Sequence, residues 1–373
     1  MKKDKSAALP FSLKSVEIEN FAGIKHTALK DLPDDAQWIF LTGENGFGKT
    51  SVLQAIALGI QNEDLAEVAQ VKDRERLALK VRLGPETELG ISLLSFGRGE
   101  SFFRRFAAYG TSRLEIAHDT SSNEAADKSS RLYTLFRSDG VLLSIEAEMK
   151  VWEKRNTAYF NNLRNTLLKV LDKNLGDIYI DEKENAKVKY VELDKDGNKL
   201  PPVTFEKLAS GYRSIVAMVG DLLIRFYKIY PRNTPPEEFA GIVLIDELDV
   251  HLHPHTQRKL PGILSGVFPK MQFIASIHSP IPILGAPENA VFLKVFRTKE
   301  EGITVENLDY VSVRSLTPNT LISSPIFDFD EVIGDQHDRT TEKLATESNY
   351  DEAVFANVLE KKLKQMAKAA NIE

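Results

Sequence analysis

The chain has 373 residues, 42% apolar and 27% charged, a globular composition long enough for two or three structural units. Its 48 Lys and Arg against 54 Asp and Glu give a net charge of −6, which excludes a uniformly basic nucleic-acid binder but not a local basic patch. There is no cysteine, so disulfides, thiolate metal sites and cysteine nucleophiles are excluded, and no apolar run is long enough to span a membrane or serve as a signal peptide.

In chain order, residues 15–21 alternate like a half-buried strand and 38–42 form a short apolar strand. Residues 49–60 place Val52, Leu53, Ile56, Ala57 and Ile60 at helical spacing. Three β-like runs, 77–83, 89–96 and 102–109, are expected to join the first strands in one antiparallel lobe. The polar stretch 117–131 reads as an exposed or mobile loop. Residues 144–174 predict a long helical stretch broken near Asn161 and Asn162, and runs 187–192 and 203–206 flank Asp196 and Gly197, a hairpin turn signal. From Gly211 the pattern is α/β: a helix over 212–230, a proline-rich link over 231–236, and a buried strand over 242–245. A helix over 255–267, a strand over 272–276 and a helix near Ile281 follow, with a last helix over 350–370. No internal repeat or sustained heptad is present.

Gly43, Glu44, Asn45, Gly46, Phe47, Gly48, Lys49 and Thr50 match G-x-x-x-x-G-K-[ST], placed between an apolar strand and a helix as that motif requires. Glycines let backbone N–H groups wrap phosphate oxygens, and the helix N-terminus at Ser51 adds positive potential. Lys49 can reach β- and γ-phosphates and Thr50 can hold Mg²⁺, so ATP and Mg²⁺ are the expected ligands. The apolar run from Gly241 ends in Asp246 and Glu247, which suit the Mg²⁺ shell and a general base for the attacking water.

Leu208, Ala209, Ser210, Gly211, Tyr212 and Arg213 then open an amphipathic helix, and Phe273–Ser276 runs into His278. This order of motifs resembles the ABC-type ATPases of the RecF, OLD and SMC superfamily. Within it, the match is to compact bacterial AAA-domain ATPases linked to phage defence, the Septu type among them. The opening Val16–Phe21 strand with its Asn20-Phe21 pair, and the segment from Phe136 through Gly140 to Trp152, share that resemblance, which covers residues 12–295. The family's serine position in the signature loop is Ala209 here, with Ser210 the nearest hydroxyl, and the basic residue that usually follows Phe21 is Ala22. Transporter ATPases place these motifs closer together, and a helix of roughly 45 Å over 144–174 is too short for an SMC arm.

The resemblance implies an α/β P-loop NTPase of ABC/RecF-like type, a mixed-sheet core with an antiparallel β lobe and a short helical insertion. It divides the chain into an N-terminal ATPase lobe (12–116), an insertion with polar loop, helical arm and hairpin (117–206), a C-terminal ATPase lobe (207–300) and an extension (301–373). It makes Glu247, His278 and Lys49 catalytic. Gly43 to Ser51 with Ser210, Gly211 and Arg213 bind nucleotide, and Thr50 and Asp246 serve the metal. Gln70 is a candidate for the family's Q-loop. His251, His253 and His255 are expected to pack against a dimer partner rather than ligate a metal, as in related ATPases. Asp328, Asp330 and Glu331 form a Toprim-like acidic set on paper, better read as an acidic capping or docking loop. Basic residues Arg98, Arg104, Arg105, Lys150, Lys154, Arg155, Arg164 and Lys169 could grip DNA or simply be a solvated face.

The implied function is a cytoplasmic ATPase that dimerises around ATP, senses nucleic acid and controls a separate effector nuclease or toxin. Alternatives are an ATP-stabilised scaffold without turnover and a RecF-like recombination ATPase. Homodimers or assemblies of dimers, an effector protein and DNA are the partners, with no membrane.

Overall fold

A computed structural model of the protein describes residues 7–61, 78–84, 87–91, 104–117, 130–231, 234–308, 321 and 323–327. Gln70, Arg98, the acidic set at 328–331, residues 118–129 of the polar stretch and the helix over 350–370 lie outside the described residues.

Strand β1 (Ser12–Phe21) turns into β2 (Ile24–Leu29) through Ala22 and Gly23, both at positive φ (47° and 91°). A two-residue loop with both φ positive matches the right-handed twist of the strands it joins. On its other side β1 pairs antiparallel with β4 (Ala78–Gly84), which pairs with β5 (Thr87–Ile91).

The strands β3 (Trp38–Thr42), β9 (Ala240–Ile245), β10 (Lys270–Ser276) and β11 (Val291–Thr298) run parallel to one another. With β6 (Phe106–Tyr109) and β12 (Gly302–Asn307) they complete one ten-stranded sheet, ordered β5-β4-β1-β2-β12-β11-β3-β10-β9-β6. The mixed α/β sheet with an antiparallel lobe is therefore the architecture found. The run expected over 102–109 is placed differently. Its described part, β6, lies at the far edge and pairs parallel with β9, Phe106 opposite Ile242 and Tyr109 opposite Ile245. The reason is two-sided burial: all four of its residues are buried, as in parallel strands covered on both faces.

Alternate residues of the parallel strands feed two cores. Trp38, Phe40, Tyr109, Val243, Ile245 and Phe273 face one side, and Ile39, Leu41, Phe106, Ile242, Leu244 and Ile274 the other. Helix α1 (Lys49–Gln61) packs on the second side through Val52, Leu53, Ile56 and Ile60. The first side is covered by α3 (Ile145–Arg155), α4 (Thr157–Leu171), α5 (Ser210–Tyr227) and α6 (Pro254–Val267). One short helix, α2 (Tyr133–Phe136), lies against β6.

Ser144 caps α3 by accepting from the N–H of Ala147. The break in the helical stretch falls at Asn156 (φ −153°, ψ 72°) rather than at Asn161 and Asn162, which stay inside α4. Helix α4 keeps its register because Tyr159, Leu163, Thr166, Leu167 and Val170 line its buried side. The helical stretch then gives way to β7 (Leu175–Asp181), which pairs antiparallel with β8 (Lys187–Glu192). The expected partner of β8, residues 203–206, meets it only at the bridge between Tyr190 and Val203. The turn itself forms: Asp194 accepts from the N–H groups of Asp196 and Asn198, with Gly197 at φ 82°.

Candidate functional site

Strand β3 delivers the chain into the loop 43–48, and α1 begins at Lys49. Gly43 and Gly48 sit at φ 127° and 98°, where L side chains are strained. A Cβ on Gly43 would meet the carbonyl oxygen of Val295 at 2.1 Å, and one on Gly48 would meet Ile303 at 2.4 Å. Both neighbours belong to the β11–β12 hairpin, so the loop is shaped by strands distant in sequence. Glu44, Asn45 and Gly46 are exposed; Phe47 and Ser51 are half-buried.

Lys49 is buried, and its Nζ donates to the carbonyls of Gly43 (2.6 Å) and Glu44 (3.2 Å). Burial lowers its pKa, against the opposing pull of Asp246, Asp249 and Glu247. The Thr50 hydroxyl donates to Asp246 Oδ2 at 2.8 Å.

Asp246 and Glu247 follow β9, and the parallel register sets Ala275 of β10 opposite Ile245. That brings Ser276, fully buried, beside the two acids. Its hydroxyl donates to Asp246 Oδ1 (2.5 Å) and accepts from the N–H of Glu247 (2.7 Å). His278, two residues on, places Nε2 3.3 Å from Glu247 Oε1, with both side chains about a third exposed. Glu247 itself adopts φ 48°, a left-handed conformation rare for a residue with a Cβ.

Three residues given no role by the sequence reading complete the site. The Asp249 carboxylate accepts from the N–H groups of His278 (3.1 Å) and Ser279 (2.7 Å), fixing the turn that carries the histidine. The buried Arg113 donates to the carbonyls of Gly110, Asp246 and Glu247, and burial pushes its pKa down to about 10. The third is Ser276. Ser276 and Asp249 lie within motifs legible in the sequence, but Arg113 stands in no motif and only the fold brings it here.

The signature residues sit on the same chain's turn after β9. Ser210 is the first residue of α5 and exposed, and a Cβ on Gly211 would meet the carbonyl of His251 at 2.9 Å. Ala209 offers no side-chain cap. Arg213 donates to the carbonyl of Glu206 at 3.2 Å. His251, His253 and His255 are exposed, and His253 Nδ1 accepts from the N–H of His255 at the start of α6. Among the described residues, the one His/Asp/Glu group whose ligand atoms converge is Glu17, Glu19 and His26, on the β1–β2 hairpin away from these three. Several of the basic residues have partners within the chain. Arg164 pairs with Asp177 (2.5 Å) and Lys169 with Glu237 (2.9 Å), while Arg105 lies over the rings of Phe11 and Tyr230.

A phosphate-loop strand, β3, and a carboxylate-tipped strand, β9, on either side of β10 in a mixed sheet define an α/β P-loop NTPase fold. No protein-family model matches the chain. It is 28% identical over 341 residues to the Septu protein PtuA of Bacillus mycoides strain KBAB4, covering 87% of this chain and 46% of that protein. It is 29% identical over 195 residues to the retron Vc95 probable ATPase of Vibrio cholerae serotype O1 biovar El Tor, covering 49% of this chain and 36% of that one. With the DNA replication and repair protein RecF of Rickettsia prowazekii strain Madrid E it shares 27% identity over 161 residues, 42% of this chain and 41% of that protein. The chain thus spans about half the length, or less, of the curated relatives it matches. Among solved structures, a RecF bound to an ATP analogue covers 82% of this chain and all of its own, at 12% identity and a TM-score of 0.45. The SMC head domain from Thermotoga maritima covers 80% of this chain and 99% of its own, at 12% identity and a TM-score of 0.40. The chain's sequence similarity thus runs to Septu, retron and RecF proteins. No helix among the described residues is long and apolar enough to cross a membrane.

Proposed function

We propose that the chain binds and hydrolyses ATP with Mg²⁺ and works as a dimeric switch, two chains sandwiching two ATP molecules. The observation that carries this reading is the hydrogen-bonded path Thr50–Asp246–Ser276–Glu247, with His278 beside Glu247. The donor set fits the ligands. Hydroxyl and carboxylate oxygens at Thr50 and Asp246 suit a hard divalent cation, and a buried ammonium beside a glycine loop suits phosphate. Mg²⁺, when bound, neutralises charge on the phosphate oxygens.

The chain's own residues do the rest. Lys49 exchanges the carbonyls of Gly43 and Glu44 for phosphate oxygens, with the carboxylates of Asp246, Asp249 and Glu247 nearby. Loop residues Gly43 to Gly48 and the α1 N-terminus at Thr50 and Ser51 donate backbone N–H groups to the phosphates. Glu247 takes a proton from the attacking water onto a carboxylate oxygen, and His278 orients that carboxylate. Ser210, exposed at the start of α5, and the half-buried Gly211 and Arg213 face the γ-phosphate held by the second chain. Loss of that shared phosphate removes the contact that separates the closed from the open dimer.

Similarity to the Septu and retron proteins supports a place in anti-phage defence, with the switch controlling a separate effector nuclease or toxin after sensing nucleic acid. The test is steady-state ATP hydrolysis with Mg²⁺, with and without linear duplex DNA, using Glu247→Gln as the blank. Turnover above that blank is expected, as is an ATP-dependent dimer of Glu247→Gln in sedimentation velocity. A variant that stays monomeric at every ATP concentration ends the sandwich model, and DNA-independent turnover transfers the sensing role to a protein partner.

A further inference from the structure

The backbone of Glu247 is held at every polar group around its two rotatable bonds. The peptide before it has its carbonyl, that of Asp246, on Arg113 Nη1 and its N–H on the Ser276 hydroxyl. The peptide after it has its own carbonyl on Arg113 Nη2 at 2.7 Å and its N–H, that of Leu248, on the Ser276 carbonyl at 2.9 Å. These two planes define φ and ψ of Glu247, which lies at φ 48°. A strained conformation of this kind persists only when its surroundings over-determine it, and such residues concentrate where function needs them.

Arg113 follows β6 and is 2% exposed. A guanidinium that deep is expensive to desolvate, and nearby negative charge must offset the cost. Asp246, Glu247 and Asp249 supply that charge. Its third contact, to the carbonyl of Gly110 (3.1 Å), anchors the head group to its own loop. Two further bonds make that loop rigid. The N–H of Asp246 donates to the carbonyl of Tyr109 at 2.8 Å, and the Tyr109 hydroxyl donates to the buried Asp221 of α5 at 2.9 Å.

We propose that Arg113 is the positioning residue for the general base: it clamps both peptide planes of Glu247 and is the fixed counter-charge of the Asp246, Glu247 and Asp249 carboxylates. This rests on the ATPase reading above. Arg113 acts through Glu247 and not on nucleotide, so its removal lowers kcat and leaves ATP binding alone. Lysine keeps the charge but cannot span two carbonyls. Glutamine keeps a donor but loses the charge.

The experiment compares Arg113→Lys and Arg113→Gln with the unsubstituted chain for thermal melting, equilibrium ATP binding, KM and kcat. Both variants are expected to bind ATP with little change in KM while kcat falls about 10- to 100-fold. The inference is overturned by wild-type kcat in Arg113→Lys or by ATP affinity that falls in step with kcat. It is equally overturned if neither variant folds, which would leave Arg113 a purely architectural role. Absence of turnover in the unsubstituted chain brings down the ATPase reading as well, whereas turnover that Arg113→Lys leaves intact brings down this inference alone.

Discussion

At the scale of single residues, Ser276 shows how much one hydroxyl can carry. It joins the end of β10 to both acids after β9, and alanine there leaves the N–H of Glu247 without its partner. Losing a buried hydrogen-bond partner costs about 1–3 kcal/mol, so urea melts of Ser276→Ala should show a shift of that size. Gly43→Ala should be harsher. Its Cβ meets the backbone oxygen of Val295 at 2.1 Å and its φ of 127° disfavours any side chain, so ATP binding by titration is expected to be lost. The glycines, the lysine and the paired acids were legible in the sequence because loop chemistry ties them to fixed local spacings. Arg113 was not legible, because its partners Asp246 and Glu247 are distant in the chain and only the parallel pairing of β6 with β9 makes them neighbours.

At the scale of elements, a buried ion pair within α5 ties that helix to β6 and to the segment just before α3. Asp221, fully buried, accepts from Arg225 at 2.5 and 2.8 Å, from the Tyr109 hydroxyl and from the N–H of Leu143. Asp221→Ala removes the carboxylate paired with a buried guanidinium and is expected to cost about 3–5 kcal/mol in chemical denaturation. In the first turn of α3, Glu146 is a different case. Its Oε1 is buried with no hydrogen-bond partner among the described residues, and burial, then Glu206, push its pKa from 4.5 up to about 7. The folded chain therefore holds a proton that the unfolded chain releases, and stability falls as pH rises across that window. Glu146→Gln should stabilise the protein at pH 8 by about 1–3 kcal/mol, with the gain fading toward pH 5, as read from urea midpoints at both pH values. Strand and helix positions near the motifs were readable from periodicity. The edge placement of β6 and the helix break at Asn156 were not, since an all-apolar four-residue strand and a lone asparagine carry no directional signal.

At the scale of the whole molecule, the proposed sandwich makes a counting prediction. Lys49→Ala disables a chain's own phosphate loop, and Gly211→Asp disables what it offers a partner. Each variant alone should be inactive. In an equal mixture half the dimers are mixed, and each mixed dimer rebuilds one of two sites, so about a quarter of wild-type turnover should return. Recovery of none argues against shared sites. The mixed sheet as a class was foreseeable from the alternation of β-like and helical patterns, but β2, β11 and β12 were not assigned, and they close the sheet between its two halves.

The place of β3 in that sheet also dictates when the site can exist. Its two neighbours are β10 and β11, from the far end of the described sheet sequence. A ribosome adding about 5–20 residues per second leaves β3 without either neighbour for roughly 10–50 s. During synthesis, Lys49 and Thr50 have no Asp246, Ser276 or His278 to work with, and Gly43 has no Val295 to close against. A nascent chain arrested before residue 270 is thus unable to hold the nucleotide, and unfinished copies stay silent.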